Sequence, residues 1–394
     1  MPPPRDRRFS LAVALECSFT GALHPLDRPW NLSPAAKPLL VRYDLEAAAR
    51  RWSRANLARR PPTMWKYHEL LPLPAKKAVV SLGETVTPLV PVSVRHRSGR
   101  AGEVLIKDDS RLPTGSFKAR GLALAVAMAR HFGLTHLAMP TNGNAGAALA
   151  AYAARAGLRC TVVCPADTPR ANLEEMKACG AEVQLVDGLI DDCGRLVQEG
   201  TRRAGWFDVS TLKEPYRLEG KKTIGFEIAE QLGFRLPDVI FYPTGGGTGL
   251  LGMWKAFSEL EAVGLLAGRR PRMVAVQAAG CAPVVRAFAE GLEHAPRWEQ
   301  AHTLAAGIRV PRLIGDFLVL RVLRESGGFA IAVEDAEIEA ARRECAERQG
   351  IHLCPEGAAT FAAYRRSLEE QRIAPKDRVL LFNGASALKY PPFG

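Results

Sequence analysis

Lys118 stands in the run Pro113-Thr114-Gly115-Ser116-Phe117-Lys118-Ala119-Arg120-Gly121, among neighbours that suit an amine required to lose its proton. An apolar wall from Phe117 and positive charge from Arg120 would both disfavour the ammonium form. A neutral amine so placed can attack a carbonyl, so Lys118 reads as a Schiff-base lysine for an aldehyde cofactor. The plain alternative is a solvated lysine at a capped helix start. Pro113 and Gly115 mark a turn, and the Ala-rich stretch from Gly121 predicts a helix that Ser116 or Thr114 could cap.

A second candidate follows the apolar run Val239-Ile240-Phe241-Tyr242, in the segment PTGGGTGLLGMWKAF at 243–257. Glycines that lead from a strand into a helix expose backbone N–H groups at the positive helix end, where a phosphate dianion is stabilised. Gly245, Gly246, Gly247, Thr248 and Gly249 are therefore the expected phosphate cup, with a simple tight turn as the alternative. The same stretch matches G-x-G-x-x-G through Gly247, Gly249 and Gly252, which raises a dinucleotide site. The next strand, Arg272 to Gln277, ends in glutamine where a ribose-binding acid would be required. A Walker loop is excluded, because no Gly-Lys-Ser/Thr follows the glycines.

The third is PTNGNAGAALAAYAARAG at 140–157, again a strand end, a polar glycine turn and an Ala-rich helix. Asn144 can donate to a phenolic or carboxylate oxygen, and Thr141 with backbone amides could hold an anion. Ordinary N-capping is the competing reading.

The elements that must position these residues have an α/β pattern. From about residue 103, short apolar runs alternate with Ala-rich helical stretches. Strands are expected at 104–106, 137–139, 161–163, 183–185, 239–241, 274–276 and 379–382, with 206–209 as a further one. The 394 residues suit two domains. A small inserted domain is expected at 130–212, a large one at 63–129 and 213–394, and an extension at 1–62 packed on the large one, with a helical stretch around Leu45 to Arg60.

Eight scattered cysteines without a Cys-x-x-Cys pair do not form a disulfide or metal pattern, and Cys160 and Cys164 fall in an expected buried strand. The net charge of +12 comes with interleaved acids and no aromatic stacking pattern, which favours a soluble Arg-rich surface, with room for an anionic substrate, over nucleic acid. No apolar run approaches the roughly 20 residues of a membrane span. The basic N-terminus precedes an apolar stretch too short for a signal peptide, so a cytoplasmic protein is expected.

In order and spacing, these motifs resemble the fold type II pyridoxal-phosphate enzymes, the threonine synthase branch most closely. The similarity runs from about Pro72 to Pro391. It rests on PTGSFKARG, the Asn142-Gly143-Asn144 turn, KEPYRLEGKKTIGFE from Lys213 to Glu227, the GGGTG loop, PEGAAT from Pro355 to Thr360, and LFNGASALKYP from Leu381 to Pro391.

The resemblance implies a two-domain, tryptophan synthase beta-like α/β architecture, each domain an open, mostly parallel sheet flanked by helices. It makes Lys118 the lysine that binds pyridoxal 5'-phosphate and shuttles protons, with Phe117 near the pyridine ring. Asn144 would bond the ring hydroxyl oxygen, and Gly245 to Gly249 would hold the 5'-phosphate. Thr141, Asn142 and Arg217 become substrate-binding candidates. The implied reaction takes O-phosphohomoserine and water to threonine and phosphate, and the implied assembly is a homodimer. The alternatives are β-elimination or β-replacement on serine, threonine or an activated serine, and a paralogue that binds the cofactor in a regulatory or interaction role. A nicotinamide enzyme is a more distant reading.

Several positions depart from the branch. Where it reads N-T-G-S-G-L-K, with a threonine hydroxyl facing the pyridine nitrogen, this chain has Asn383-Gly384-Ala385-Ser386-Ala387-Leu388-Lys389, and Ser386 is the substitute. Ala145 stands where a phosphate-binding threonine is frequent. Glu214 replaces an asparagine, so its charge needs Arg217, Lys221 or Lys222 beside it. Of a four-cysteine ribbon only Cys17 remains, with Thr20, Ser33 and Ala35 at the other places, so no structural metal is expected.

Overall fold

The structure, a computed structural model, describes residues 8–94 and 102–392. Three strands of the extension, β1 (Ala12–Cys17), β2 (Leu23–His24) and β3 (Leu39–Tyr43), form an antiparallel sheet in the order β2-β1-β3. Strands β4 (Leu89–Val92) and β5 (Val104–Asp108) belong to the main sheet. Strands β6 (His136–Pro140), β7 (Arg159–Pro165), β8 (Glu182–Val186) and β9 (Phe207–Asp208) make a four-stranded parallel sheet ordered β8-β7-β6-β9. With β10 (Val239–Pro243), β11 (Arg272–Ala278), β12 (Phe329–Val333) and β13 (Val379–Asn383), the main sheet reads β12-β11-β10-β13-β5-β4. Its pairs are parallel except β4 with β5.

All eight expected strand positions are strands. The sequence reading missed β12, a short run closed in by Gly327 and Gly328, and β4, whose Pro91 is tolerated because the strand sits on the sheet edge. It also missed the extension's sheet. There Cys17 is buried with its Sγ 3.1 Å from Ser33 Oγ, two positions of the lost ribbon brought together. Cys160 and Cys164 lie buried in β7.

The helices are α1 (Leu45–Arg51), α2 (Arg54–Ala58), α3 (Lys118–His131), α4 (Asn144–Ala156), α5 (Arg170–Ala178), α6 (Ile190–Arg203), α7 (Tyr216–Gln231) and α8 (Thr248–Ala262), followed by four more after β11. Helices α3 and α4 are alanine-rich, and their small side chains let both be buried on nearly every face. One core joins Leu15, Val41 and Trp52 of the extension to Leu122 and Val126 of α3, Leu149 of α4, and Phe226 of α7. Gly252, the last glycine of the G-x-G-x-x-G match, serves helix packing instead. A Cβ there would lie 3.0 Å from the Lys222 amide nitrogen on α7.

No helix among the described residues is long and apolar enough to cross a membrane. The parallel strands decide where chemistry can happen. The loops after β5, β6, β10 and β13 all leave the carboxyl ends of their strands, the edge at which open α/β sheets form their crevices.

Candidate active site

Those four loops wall one cleft. The loop after β5 supplies Phe117 and Lys118, and the loop after β6 supplies Thr141, Asn142, Asn144 and Ala145. Gly245, Gly246, Gly247 and Thr248 follow β10, while Gly384, Ala385 and Tyr390 follow β13. Lys118 is the first residue of α3. Its Nζ lies 3.9 Å from the Phe117 ring centroid and makes no hydrogen bond or ion pair with any described residue. Burial, and after it the Arg217 charge, lower its pKa to about 8 against the opposing pull of Glu356 and Cys354.

The cation beside Lys118 is thus Arg217, not Arg120. Arg120 is fully buried, but its guanidinium is neutralised by Asp109 at 2.8 Å and Glu227 at 2.5 Å, with Lys107 also on Glu227 at 2.8 Å. Nearness in sequence suggested the wrong arginine because two residues along a helix turn a side chain by about 200°, to the other side. The helix start also differs from expectation. No side chain caps α3, Ser116 and Thr114 keep unpartnered hydroxyls, and Thr114 adopts a left-handed φ of 59°.

Phe117 is held edge-on by Phe382 and Tyr242, with centroids 5.4 and 6.2 Å away and both ring planes at 90°. The glycine loop enters α8 through Gly247, whose φ of 75° lets the chain turn into the helix. Gly249 does not line the cleft. A Cβ there would collide with the Tyr242 hydroxyl, so its role is to admit that ring.

In the loop after β6, the Thr141 hydroxyl accepts from the amides of Gly143 at 3.0 Å and Gly146 at 2.9 Å, so it organises the turn. Asn142 Nδ2 donates to the carbonyls of Ala306 at 3.1 Å and Arg309 at 2.9 Å. Asn144 Nδ2 donates to the Tyr390 hydroxyl at 2.8 Å, and its Oδ1 is buried without a partner. Tyr390 and Glu356 are wall residues that the motif reading left without a role. Glu356 Oε1 accepts from Gly307 N at 2.6 Å, and Glu356 lies against the Tyr390 hydroxyl. Their signal was the position of both inside the quoted C-terminal motifs.

Ser386 and Arg217 are not part of the cleft wall. The Ser386 hydroxyl accepts from Leu388 N at 3.3 Å, capping a short 3-10 turn. Arg217 is 1% exposed, donates through Nη1 to the Val209 carbonyl at 2.7 Å, and leaves Nε and Nη2 unpartnered. Glu214, buried beside it, accepts from the amides of Tyr216 and Arg217, each at 2.8 Å, at the start of α7. Burial raises its pKa to about 7. Lys221 on α7 completes the wall between Lys118 and Thr248.

An amine with a lowered pKa, a flat aromatic neighbour and a glycine loop opening a helix form a donor set that suits an aromatic aldehyde carrying a phosphate. Residues 80–384 match the family model described as pyridoxal-phosphate dependent enzyme, and the chain belongs to that family. It is a pyridoxal 5'-phosphate enzyme of the threonine synthase-like, lyase type. It is 32% identical over 376 residues to the threonine synthase of Methanocaldococcus jannaschii, covering 95% of this chain and 92% of that one. To the threonine synthase of Methanosarcina acetivorans it is 34% identical, covering 84% of this chain and 81% of the other. The fold is also that of diaminopropionate ammonia lyase from Escherichia coli, with a TM-score of 0.65 at 20% identity over 78% of this chain and 85% of that chain. The nicotinamide reading is thereby corrected: the glycines match a different cofactor family.

Proposed function

We propose that the protein converts O-phosphohomoserine and water to threonine and phosphate. The observation that carries this reading is Arg217, a buried guanidinium with two unpartnered nitrogens whose charge lowers the pKa of Lys118. Such a group calls for an anion, and the substrate's phosphate ester supplies one. Glu214 does not oppose it strongly, because its carboxylate is turned to two amides of its own chain and its pKa is raised.

Lys118 would hold pyridoxal phosphate covalently, with Phe117 beside the ring, Asn144 at the ring hydroxyl and the Gly245 to Thr248 loop at the phosphate. When bound, that group supplies an electron sink for charge developing on the substrate. Lys118 Nζ, freed as an amine once the substrate's amino group has displaced it, would take protons from Cα and Cβ and return them. Arg217, buried behind the cleft wall, lends its positive charge to the phosphate as the bond to Cγ breaks. Thr141 and Asn142 fix the loop whose backbone amides hold the substrate carboxylate. Water adds at Cβ, and threonine leaves.

A second reading, β-elimination or β-replacement on serine, threonine or an activated serine, is favoured by Ala145, which places a methyl group on the cleft wall. The two separate by product. The purified enzyme given O-phosphohomoserine should release threonine and phosphate in equal amounts. Pyruvate from serine, or 2-oxobutanoate from threonine, without threonine formation would overturn the first reading. No turnover on any of these amino acids above the rate with free cofactor would support the regulatory paralogue instead.

A further inference from the structure

Lys221 is a buried amine that no carboxylate among the described residues answers. The other lysines buried to the same degree each meet a carboxylate. Lys66 pairs with Glu230 at 2.6 Å, Lys107 with Glu227 at 2.8 Å, and Lys389 with Glu175 at 2.5 Å. Lys222, the next residue on the same helix, pairs with Glu219 at 2.6 Å and Glu259 at 2.9 Å. Lys221 is 1% exposed and forms no ion pair with any described residue. Its Nζ donates only to the Thr248 hydroxyl, at the first residue of α8, and sits 5.1 Å from the Phe117 ring centroid. Taking an ammonium out of water without a counter-ion is strongly unfavourable, so a charged Lys221 needs an anion from outside the described residues.

We propose that Lys221 is a cationic ligand of the cofactor's 5'-phosphate, acting with the Gly245 to Thr248 loop. The proposal rests on the reading of that loop as the phosphate cup. The choice of anion follows from the partner already in place: Thr248 belongs to the loop, and a phosphate held by the amides at the start of α8 lies within reach of whatever bonds the Thr248 hydroxyl. The loop and helix end contribute partial charges and hydrogen bonds, and Lys221 adds a full positive charge against a dianion. Burial and the charges of Arg217 and Lys118 push the Lys221 pKa well below its usual range in the free protein, and a bound dianion would restore the ammonium form.

The test compares pyridoxal 5'-phosphate with pyridoxal, which lacks the phosphate, in the absence of substrate. Apo-protein of the full chain is titrated with each, followed by absorbance, for wild type, Lys221→Met and Lys221→Arg. Lys221→Met should lose about ten- to a hundredfold in affinity for pyridoxal 5'-phosphate while its affinity for pyridoxal holds, and Lys221→Arg should keep most of the preference. Apo Lys221→Met should melt no lower than wild type, since a buried amine without a carboxylate partner is replaced by an apolar side chain, yet gain less thermal stability from the cofactor. Equal losses for both compounds, or no loss for either, would overturn the role of Lys221. So would borohydride-fixed pyridoxyl label on the peptide carrying Lys221. A wild-type protein with no preference for the phosphorylated compound would overturn the phosphate cup itself.

Discussion

The Phe117 ring lies directly against the backbone of Gly384: a Cβ built on residue 384 would sit 3.0 Å from Phe117 Cδ1 and 3.2 Å from Cε1. The two residues are also tied by a hydrogen bond from Phe117 N to the Gly384 carbonyl at 2.9 Å. The absence of a threonine at 384 therefore has a packing reason. The ring occupies the space that a side chain would need, and Ser386, turned to Leu388 N, does not refill the position.

Gly384→Ala should destabilise the protein by about 1–3 kcal/mol, the usual cost of overpacking a filled site. Phe117→Leu combined with Gly384→Ala should recover part of that loss, because the shorter side chain gives up the contested space. Urea unfolding of the single and double variants measures the coupling.

With Lys118 as the proposed anchor, capture of pyridoxal 5'-phosphate by the apo-protein needs its neutral amine. With the pKa lowered to about 8, the capture rate should rise with pH up to about 8 and level off beyond it. A solvated lysine would keep climbing past pH 10. Arg217→Gln removes a charge that holds this pKa down, so the plateau should move to higher pH. Stopped-flow absorbance across the pH range reads both.

Glu214 gives a stability signature of opposite sign to an ordinary paired carboxylate. Its folded pKa, raised to about 7 from 4.5, means that between these values the folded chain holds a proton which the unfolded chain has released. Its contribution is therefore full below about pH 4.5 and is lost as pH rises through 7. Glu214→Gln should show a flatter change of unfolding free energy between pH 5 and 7.5 than wild type, measured by urea denaturation at each pH.

The Asn144 to Tyr390 bond joins the loop after β6 to the chain after β13. Tyr390→Phe and Asn144→Ala should each cost stability, and the double variant should cost less than their sum by about 0.5–1.5 kcal/mol. A coupling near zero in a thermal or urea double-mutant cycle would show that the bond does not form in solution.

Much of the fold was legible from local pattern. The apolar runs 104–106, 239–241 and 379–382 are strands because buried parallel strands need continuous apolar sequence. By contrast, β12 and the extension's sheet lacked that signal, and their pairing is settled by neighbours distant along the chain. The site was legible where one segment holds both a turn and its chemistry, as in the glycine loop, Asn144 and Lys118. It was not legible where the partner comes from elsewhere. The arginine acting on Lys118 is Arg217, ninety-nine positions away in the sequence, while Arg120, two positions away, is neutralised by Asp109 and Glu227.

Sequence alone determined the α/β class and the cofactor family and singled out the candidate lysine, because residue types at short spacing define those features and each can be read within one strand-loop-helix unit. Only the tertiary structure decided which charges remain unanswered. Lys221 and Lys222 are adjacent and chemically identical, yet one is matched by Glu219 and Glu259 and the other faces a cleft with no carboxylate paired to it. The helix sends successive side chains in different directions, and burial makes that difference in surroundings count.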